Sequence, residues 1–297
     1  MTMLGHSVSD AWGKWLSVTR DRCHIHYRLE RNNLDEHIQV CMASAKETAR
    51  RIARDVPRGI PARILEVGCS VGFNCFALSC QYPAASVVGI EPDAEAVMVA
   101  HAMARDVQRN VTFVVATGEQ LPCLDRAFDL IVCHTVIEHV RSPEEVVSEM
   151  ARVLSPGGRI HLEAPNYLWP REPHLGIWCV PRFGKRTMRL LARLQGQGRL
   201  VSYLDHLQLV TPRRLERLFR RHGLVWENRV RMKFDKVADG DLGIVKAYRT
   251  LAGWLVAIKH LGLAGPLVDT AVTLGIYPSM SYTLSHAPES SQRRDAV

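Results

Sequence analysis

Apolar and polar positions fall along this chain in two alternating kinds of block. From Leu34 to Val56 the apolar positions Leu34, Ile38, Val40, Cys41, Met42, Ala45, Ala49 and Ile52 recur close to every helical turn, with charges between them. That spacing predicts an amphipathic helix. Ile64, Leu65 and Val67 instead form a short run without polar alternation, as a parallel strand buried on both faces would. The run stops at Glu66-Val67-Gly68-Cys69-Ser70-Val71-Gly72, and Phe73 to Leu78 reads as a helix that ends near Pro83. A second run, Ser86 to Ile90, closes in Glu91; Asp93 then stands as N-cap of a helix from Ala94 to Val107. Val111–Val115 and Phe128–Cys133 read as further strands. Strands alternating with helices predict a doubly wound parallel sheet with ligands at its carboxyl edge.

A strand that feeds a helix through a glycine-punctuated turn brings backbone N–H groups and a helix N-terminus close to a ligand. Glu91 lies twenty-three residues beyond Gly68, where an acid binds the ribose hydroxyls of a nucleotide-like cofactor. A dinucleotide fingerprint requires G-x-G-x-x-G, and here only Gly68 and Gly72 are present, with Ser70 between them. The loop by itself leaves a dinucleotide and other adenosine cofactors open.

The same loop resembles motif I, E/D-x-G-x-G-x-G, of the class I S-adenosylmethionine (SAM)-dependent methyltransferases, with Ser70 in place of the middle glycine. Thr117 to Val140 is similar to that family's G-D-A-x-x-L-P-F-x-x-x-x-F-D-x-I-x-x-x-x-V-I-E-H-V. Glu138-His139-Val140, Val153-Leu154-Ser155-Pro156-Gly157-Gly158 and the ending Pro165-Asn166 resemble the branch that holds ubiquinone-biosynthesis O-methyltransferases and glycan and natural-product methyltransferases. The resemblance implies an α/β fold: a Rossmann-like, seven-stranded, mostly parallel sheet with helices on both faces, an antiparallel last strand at Ser279–His286, and helical cap insertions. It implies SAM as cofactor, with contacts at Glu66, Gly68, Cys69, Ser70, Gly72, Asn74, Glu91, Pro92, Thr117, Gly118, Glu119 and His134. Thr117 stands where the family often has an acid near the adenine, so recognition there is expected from the backbone around Gly118 and Glu119.

The organisation expected is a helical lid over 1–60 carrying Trp12, Trp15 and Tyr27, then a SAM-binding core over 61–166 and a cap insertion over 167–210. Residues 211–234 continue the core: a helix opened by Thr211-Pro212 and closed at Gly223, then strand six over Val225–Met232. A second insertion over 235–278, the last strand within 279–288 and a disordered tail over 289–297 complete it.

Methyl transfer from a sulfonium asks for an in-line approach and an unprotonated nucleophile. For a hydroxyl acceptor a histidine or carboxylate can take the proton. His139 and His206 are the candidate bases, with His174 as a further one; the alternative for His139 is a hydrogen-bond anchor for the helix near Pro143. Glu138 is expected to hold the loop or a substrate hydroxyl. The [D/N]-P-P-[Y/F] motif of adenine- and glutamine-methylating enzymes is replaced by Cys133-His134-Thr135-Val136. O-methylation of a small molecule or saccharide, lipid-linked or anionic forms included, fits better.

Composition adds three points. The eight cysteines hold no C-x-x-C pair and no Cys/His metal spacing, so reduced thiols and no metal are expected. The net charge of +8 is concentrated, because Arg182 to Lys233 carries 14 Lys/Arg against three acids. That face is either simply solvated, or draws an anionic substrate, or settles on an anionic membrane surface with the amphipathic stretch from Leu251; no nucleic-acid-binding motif is visible. Leu251–Ile276 is interrupted by Lys259, His260, Gly265, Pro266 and Asp269, a poor transmembrane span, and no apolar signal segment opens the sequence. A cytoplasmic protein, with peripheral contact at a membrane's inner face as an option, is expected. Two other readings stay open: an NAD- or nucleotide-sugar-linked oxidoreductase, and a SAM-binding protein without transfer activity.

Overall fold

The apolar run before Gly68 forms strand β1, Arg63–Val67, in the middle of a seven-stranded sheet. The structure, a computed structural model, describes residues 10–15, 34–56, 59–107, 109–238, 253, 257, 259 and 264–288. Tyr27, the tail over 289–297 and most of the region from 239 to 263 lie outside the described residues. In chain order the elements are α1 (Leu34–Asp55), β1, α2 (Phe73–Gln81), β2 (Ser86–Glu91), α3 (Ala94–Val107), β3 (Val111–Val115), β4 (Phe128–His134), α4 (Pro143–Val153) and β5 (Leu154–Pro165). Then follow β6 (Arg171–Glu172), β7 (Ile177–Trp178), α5 (Gly184–Leu194), α6 (Tyr203–His206), α7 (Pro212–Arg221), β8 (Leu224–Asn228), α8 (Val230–Ala238), α9 (Ala264–Leu274) and β9 (Ser279–His286).

The sheet runs β3-β2-β1-β4-β5-β9-β8. β1 pairs in parallel with both β2 and β4, β2 pairs in parallel with β3, and β8 and β9 are antiparallel. This is the expected Rossmann-like sheet. Strand order reverses between β1 and β4, the switch point at which open α/β sheets receive ligands. The chain divides into two compact units, residues 1–136 with 144–161, and residues 137–143 with 162–297.

In the first unit β1 is apolar on both faces because both are covered: Ile64 and Leu65 are fully buried. α1 places Ile38, Ala45, Ala49 and Ile52 in the same core, as its spacing predicts. Trp12, also buried, packs edge-on against Trp15 and lies 6.0 Å from the Phe73 ring. Trp15 Nε1 donates to Asp93 Oδ2 at 3.1 Å, while Asp93 Oδ1 accepts from Glu95 N at 3.0 Å and caps α3. Trp12 and Trp15 therefore pack as core. At the opposite edge, Asp129 accepts from the backbone N–H groups of Ala62 and Arg63, both at 3.0 Å, and fixes where β1 begins.

In the second unit β8 stops at Asn228, short of the expected end at Met232. Asn228 Oδ1 accepts from Val230 N at 2.9 Å and starts α8 there; a short polar side chain bonding two residues ahead competes with the strand ladder. That helix carries Lys233 to Glu163, Nζ to Oε1 at 2.7 Å, in a buried pair that Ser281 Oγ joins at 3.0 Å. β5 is longer than the expected Ile160–Asn166 and takes in the Pro156-Gly157-Gly158 turn. The Pro-Asn ending has a structural cause: Asn166 Nδ2 donates to the carbonyls of Gly275 and Tyr277 at 2.7 and 2.8 Å.

α7 has the predicted caps, with Thr211 Oγ1 accepting from Arg214 N at 3.4 Å and Gly223 at φ 66°. It buries Leu215, Leu218 and Phe219 and exposes Arg213, Arg214, Arg217, Arg220 and Arg221 to solvent. Among the described residues no helix is long and apolar enough to cross a membrane.

Candidate functional site

The glycine loop of the first unit is built on alternate left-handed residues, Gly68 at φ 71°, Ser70 at φ 50° and Gly72 at φ 88°. At Gly68 nothing larger fits: a Cβ there would lie 2.3 Å from Val136 Cγ2. Gly68 N and Cys69 N donate to Ile90 O at 2.8 and 3.0 Å, and Gly72 N donates to Cys69 O at 2.9 Å. Ser70 N donates to Glu91 Oε2 at 2.9 Å, and the other oxygen of Glu91 accepts from Asp93 N at 3.1 Å. One carboxylate thus gathers the middle of the loop and the start of α3. Its own burial pushes Glu91 above the ordinary carboxylate range, against which those two backbone donors pull it down.

Glu66 is buried at the end of β1 and accepts from Asn74 Nδ2 and Cys75 Sγ, each at 2.9 Å. Burial pushes its carboxyl up to about 7, and the bonds from Cys75 and Asn74 counter part of that rise. Gly118 is buried, and a Cβ on it would lie 2.9 Å from Val67 Cγ1, so this backbone approaches the end of β1 closely. Of the other predicted contacts, Glu119 is half-buried, while Pro92 and Thr117 are exposed. The structure therefore ties Glu66, Gly68, Cys69, Ser70, Gly72, Asn74 and Glu91 into one assembly.

His134 ends β4, and its Nε2 lies 2.7 Å from His161 Nδ1. His161 Nε2 in turn lies 3.2 Å from Asp55 Oδ2, and both partners are buried. This Asp55–His161–His134 line escaped the sequence reading, because its three members come from α1, β5 and β4 with no motif linking them.

The second unit holds a separate polar cluster, beginning four residues after β4. Glu138 is fully buried, and among the described residues neither of its carboxylate oxygens has a hydrogen-bond partner. His139 Nε2 and His174 Nε2 stand 3.7 and 3.9 Å from Glu138 Oε1. His174 Nδ1 lies 2.6 Å from Glu172 Oε1, and Leu175 N donates to Glu172 Oε2 at 2.6 Å. The Tyr203 ring closes on His139 and His174 at 5.9 and 5.5 Å, and among the described residues the buried Tyr167 hydroxyl also lacks a hydrogen-bond partner. Burial pushes Glu138 up to about 7. The loop is held through its backbone, Gln208 N donating to Glu138 O at 2.6 Å. His139 and His174 are thus brought together, whereas His206 is exposed at the end of α6. Glu172, Tyr167 and Tyr203 were missed in the sequence; the spacing Glu172-Pro173-His174 was the one available signal.

Residues 65–162 match the family described as the methyltransferase domain. Norajmaline N-methyltransferase from Rauvolfia serpentina is 35% identical over 126 residues, covering 41% of this chain and 43% of the relative. The uncharacterized methyltransferase YcgJ of Bacillus subtilis is 32% identical over 114 residues, 38% of this chain and 44% of that protein. The chain therefore spans less than half the length of these curated relatives. Among solved structures, Haemonchus contortus phosphoethanolamine N-methyltransferase 2 in complex with S-adenosyl-L-methionine shares the fold, with TM-score 0.50 and 14% identity over 80% of this chain and 51% of that one.

Proposed function

We propose that this chain, whose residues 65–162 match the methyltransferase domain family, is a class I SAM-dependent methyltransferase that transfers the methyl group of SAM to a hydroxyl of a small-molecule acceptor. The observation that carries the reading is the Ser70–Glu91 bond, which sets a glycine loop and an acid at the switch point of the sheet. Glu91 would take the ribose hydroxyls of SAM, the backbone of 117–119 the adenine, and Glu66 with Asn74 the methionine end, with the glycine loop, whose N–H groups at 68, 69, 70 and 72 are bonded within the fold, allowing close approach. Alternate left-handed residues aim such a loop's backbone at a ligand, which suits this use.

In the transfer the acceptor oxygen forms a bond to the methyl carbon as the carbon–sulfur bond breaks, S-adenosylhomocysteine leaves neutral at sulfur, and the acceptor's proton passes to a base. Within the second unit, Glu138, His139 and His174 are the candidate proton acceptors of the cation-free chain, Glu138 because burial pushes its carboxyl up to about 7. The excess of 14 Lys/Arg over three acids across Arg182–Lys233 favours an anionic acceptor, such as a phosphorylated or lipid-linked saccharide. A nitrogen acceptor is the second reading, favoured by relatives named as N-methyltransferases. The test is methyl transfer from labelled SAM to a panel of phosphorylated sugars, neutral sugars, phenols and amines. Label on anionic hydroxyl compounds supports the proposal; label on amines alone replaces it with the second reading.

A further inference from the structure

We propose that Glu138, His139 and His174 form a binding site for one divalent transition-metal cation, zinc by preference. The ligand atoms of the three side chains all lie within 4.8 Å of one another. A tetrahedral cation with ligands at about 2.1 Å sets its donors about 3.4 Å apart; the two imidazole nitrogens stand 3.7 and 3.9 Å from Glu138 Oε1, a few tenths from that spacing. Two further observations point to a cation. The Glu138 carboxylate is fully buried and, among the described residues, neither oxygen is hydrogen-bonded, and a buried charged oxygen is costly unless paired or bound to a metal. Glu172 also holds His174 by Nδ1 at 2.6 Å. A carboxylate only accepts, so Nδ1 carries a proton, and a neutral imidazole would then present its Nε2 lone pair on the side of Glu138. A carboxylate behind a histidine is the arrangement that orients metal-ligating imidazoles.

Imidazole nitrogens with one carboxylate suit zinc and its first-row neighbours better than magnesium or calcium. Three protein ligands leave a fourth position open, the pattern of sites that act on a bound molecule. The His139 side chain is 34% exposed, which leaves the cluster a side open to solvent. The ligands come from the loop after β4 and from the β6–β7 hairpin, so a search for Cys/His spacing does not find them.

The test uses the full chain, stripped with EDTA, then titrated separately with ZnCl2, MnCl2 and MgCl2, with bound metal measured after desalting. We expect one zinc per chain, weaker manganese and no retained magnesium. Glu138→Gln and His139→Ala should each weaken zinc by more than about 100-fold, and Glu172→Gln by about 10–100-fold through the misoriented His174. Circular dichroism checks that each variant folds, and the exposed His139 keeps the test informative if Glu138→Gln does not. Wild-type protein that retains no zinc overturns the proposal. So does zinc held equally well by His139→Ala and Glu172→Gln, which places it at other histidines. The readout is metal content, so failure here leaves the methyltransferase reading standing.

Discussion

Glu91 Oε2 accepts the backbone N–H of Ser70 at 2.9 Å, so the acid ending β2 and the residue replacing the loop's middle glycine form one unit. Ser70 sits at φ 50°, a conformation that costs a side-chain-bearing residue roughly 1–2 kcal/mol. The bond from the carboxylate offsets that strain, and it explains how a serine can stand where the resembling family has glycine.

Glu91→Ala removes two charge-assisted backbone bonds and the ribose acceptor together. SAM affinity should fall by about 1.5–3 kcal/mol. Calorimetric titration of the variant reads this directly, and an unchanged dissociation constant would place the ribose elsewhere.

Gly68→Ala is expected to destabilise the chain by about 1–3 kcal/mol, because φ 71° and the 2.3 Å approach of Val136 Cγ2 both oppose a methyl group. Urea unfolding midpoints measure it. A variant as stable as wild type would mean that the loop rebuilds itself around the new Cβ.

Glu66 sets a pH dependence. Its folded pKa is raised from 4.5 to about 7 by burial, so the stability linked to it is fully present below the unfolded value and is lost as pH rises through the folded one. Glu66→Gln removes that loss, and at pH 8 the variant should exceed wild type by up to about 3 kcal/mol. At pH 4 no such gain is expected. Thermal melts at the two pH values decide it, and an equal difference at both would sink the assignment.

Lys233→Met leaves Glu163 buried without its 2.7 Å cation partner. A loss of about 3–5 kcal/mol is expected, most of it recovered in Lys233→Met/Glu163→Leu, because an apolar pair can replace a buried ion pair. Denaturant midpoints of single and double variants form the check; a double variant no better than the single would refute the pairing.

Much of the sheet was legible because its signals are local. The unalternating run at Ile64–Val67, the helical spacing of Leu34–Ile52 and the caps Asp93 and Thr211 each act within a few residues. The end of β8 was not, since Asn228 chooses between continuing a ladder and capping α8 and nothing in its own neighbourhood decides. Glu66, Ser70 and Glu91 stood out as a motif, but the bond that joins Ser70 to Glu91 did not. Glu172 behind His174, and Asp55 behind His161, were not, because each pair is made by folding rather than by spacing or, for Glu172-Pro173-His174, by a spacing too common to single out.

The most direct measurement is a calorimetric titration of the purified chain with SAM, with S-adenosylhomocysteine and NAD in parallel. The account predicts that SAM and S-adenosylhomocysteine bind in the micromolar range, about −8 kcal/mol, and that NAD does not. Binding of NAD without SAM, or no binding of SAM and S-adenosylhomocysteine, would contradict it.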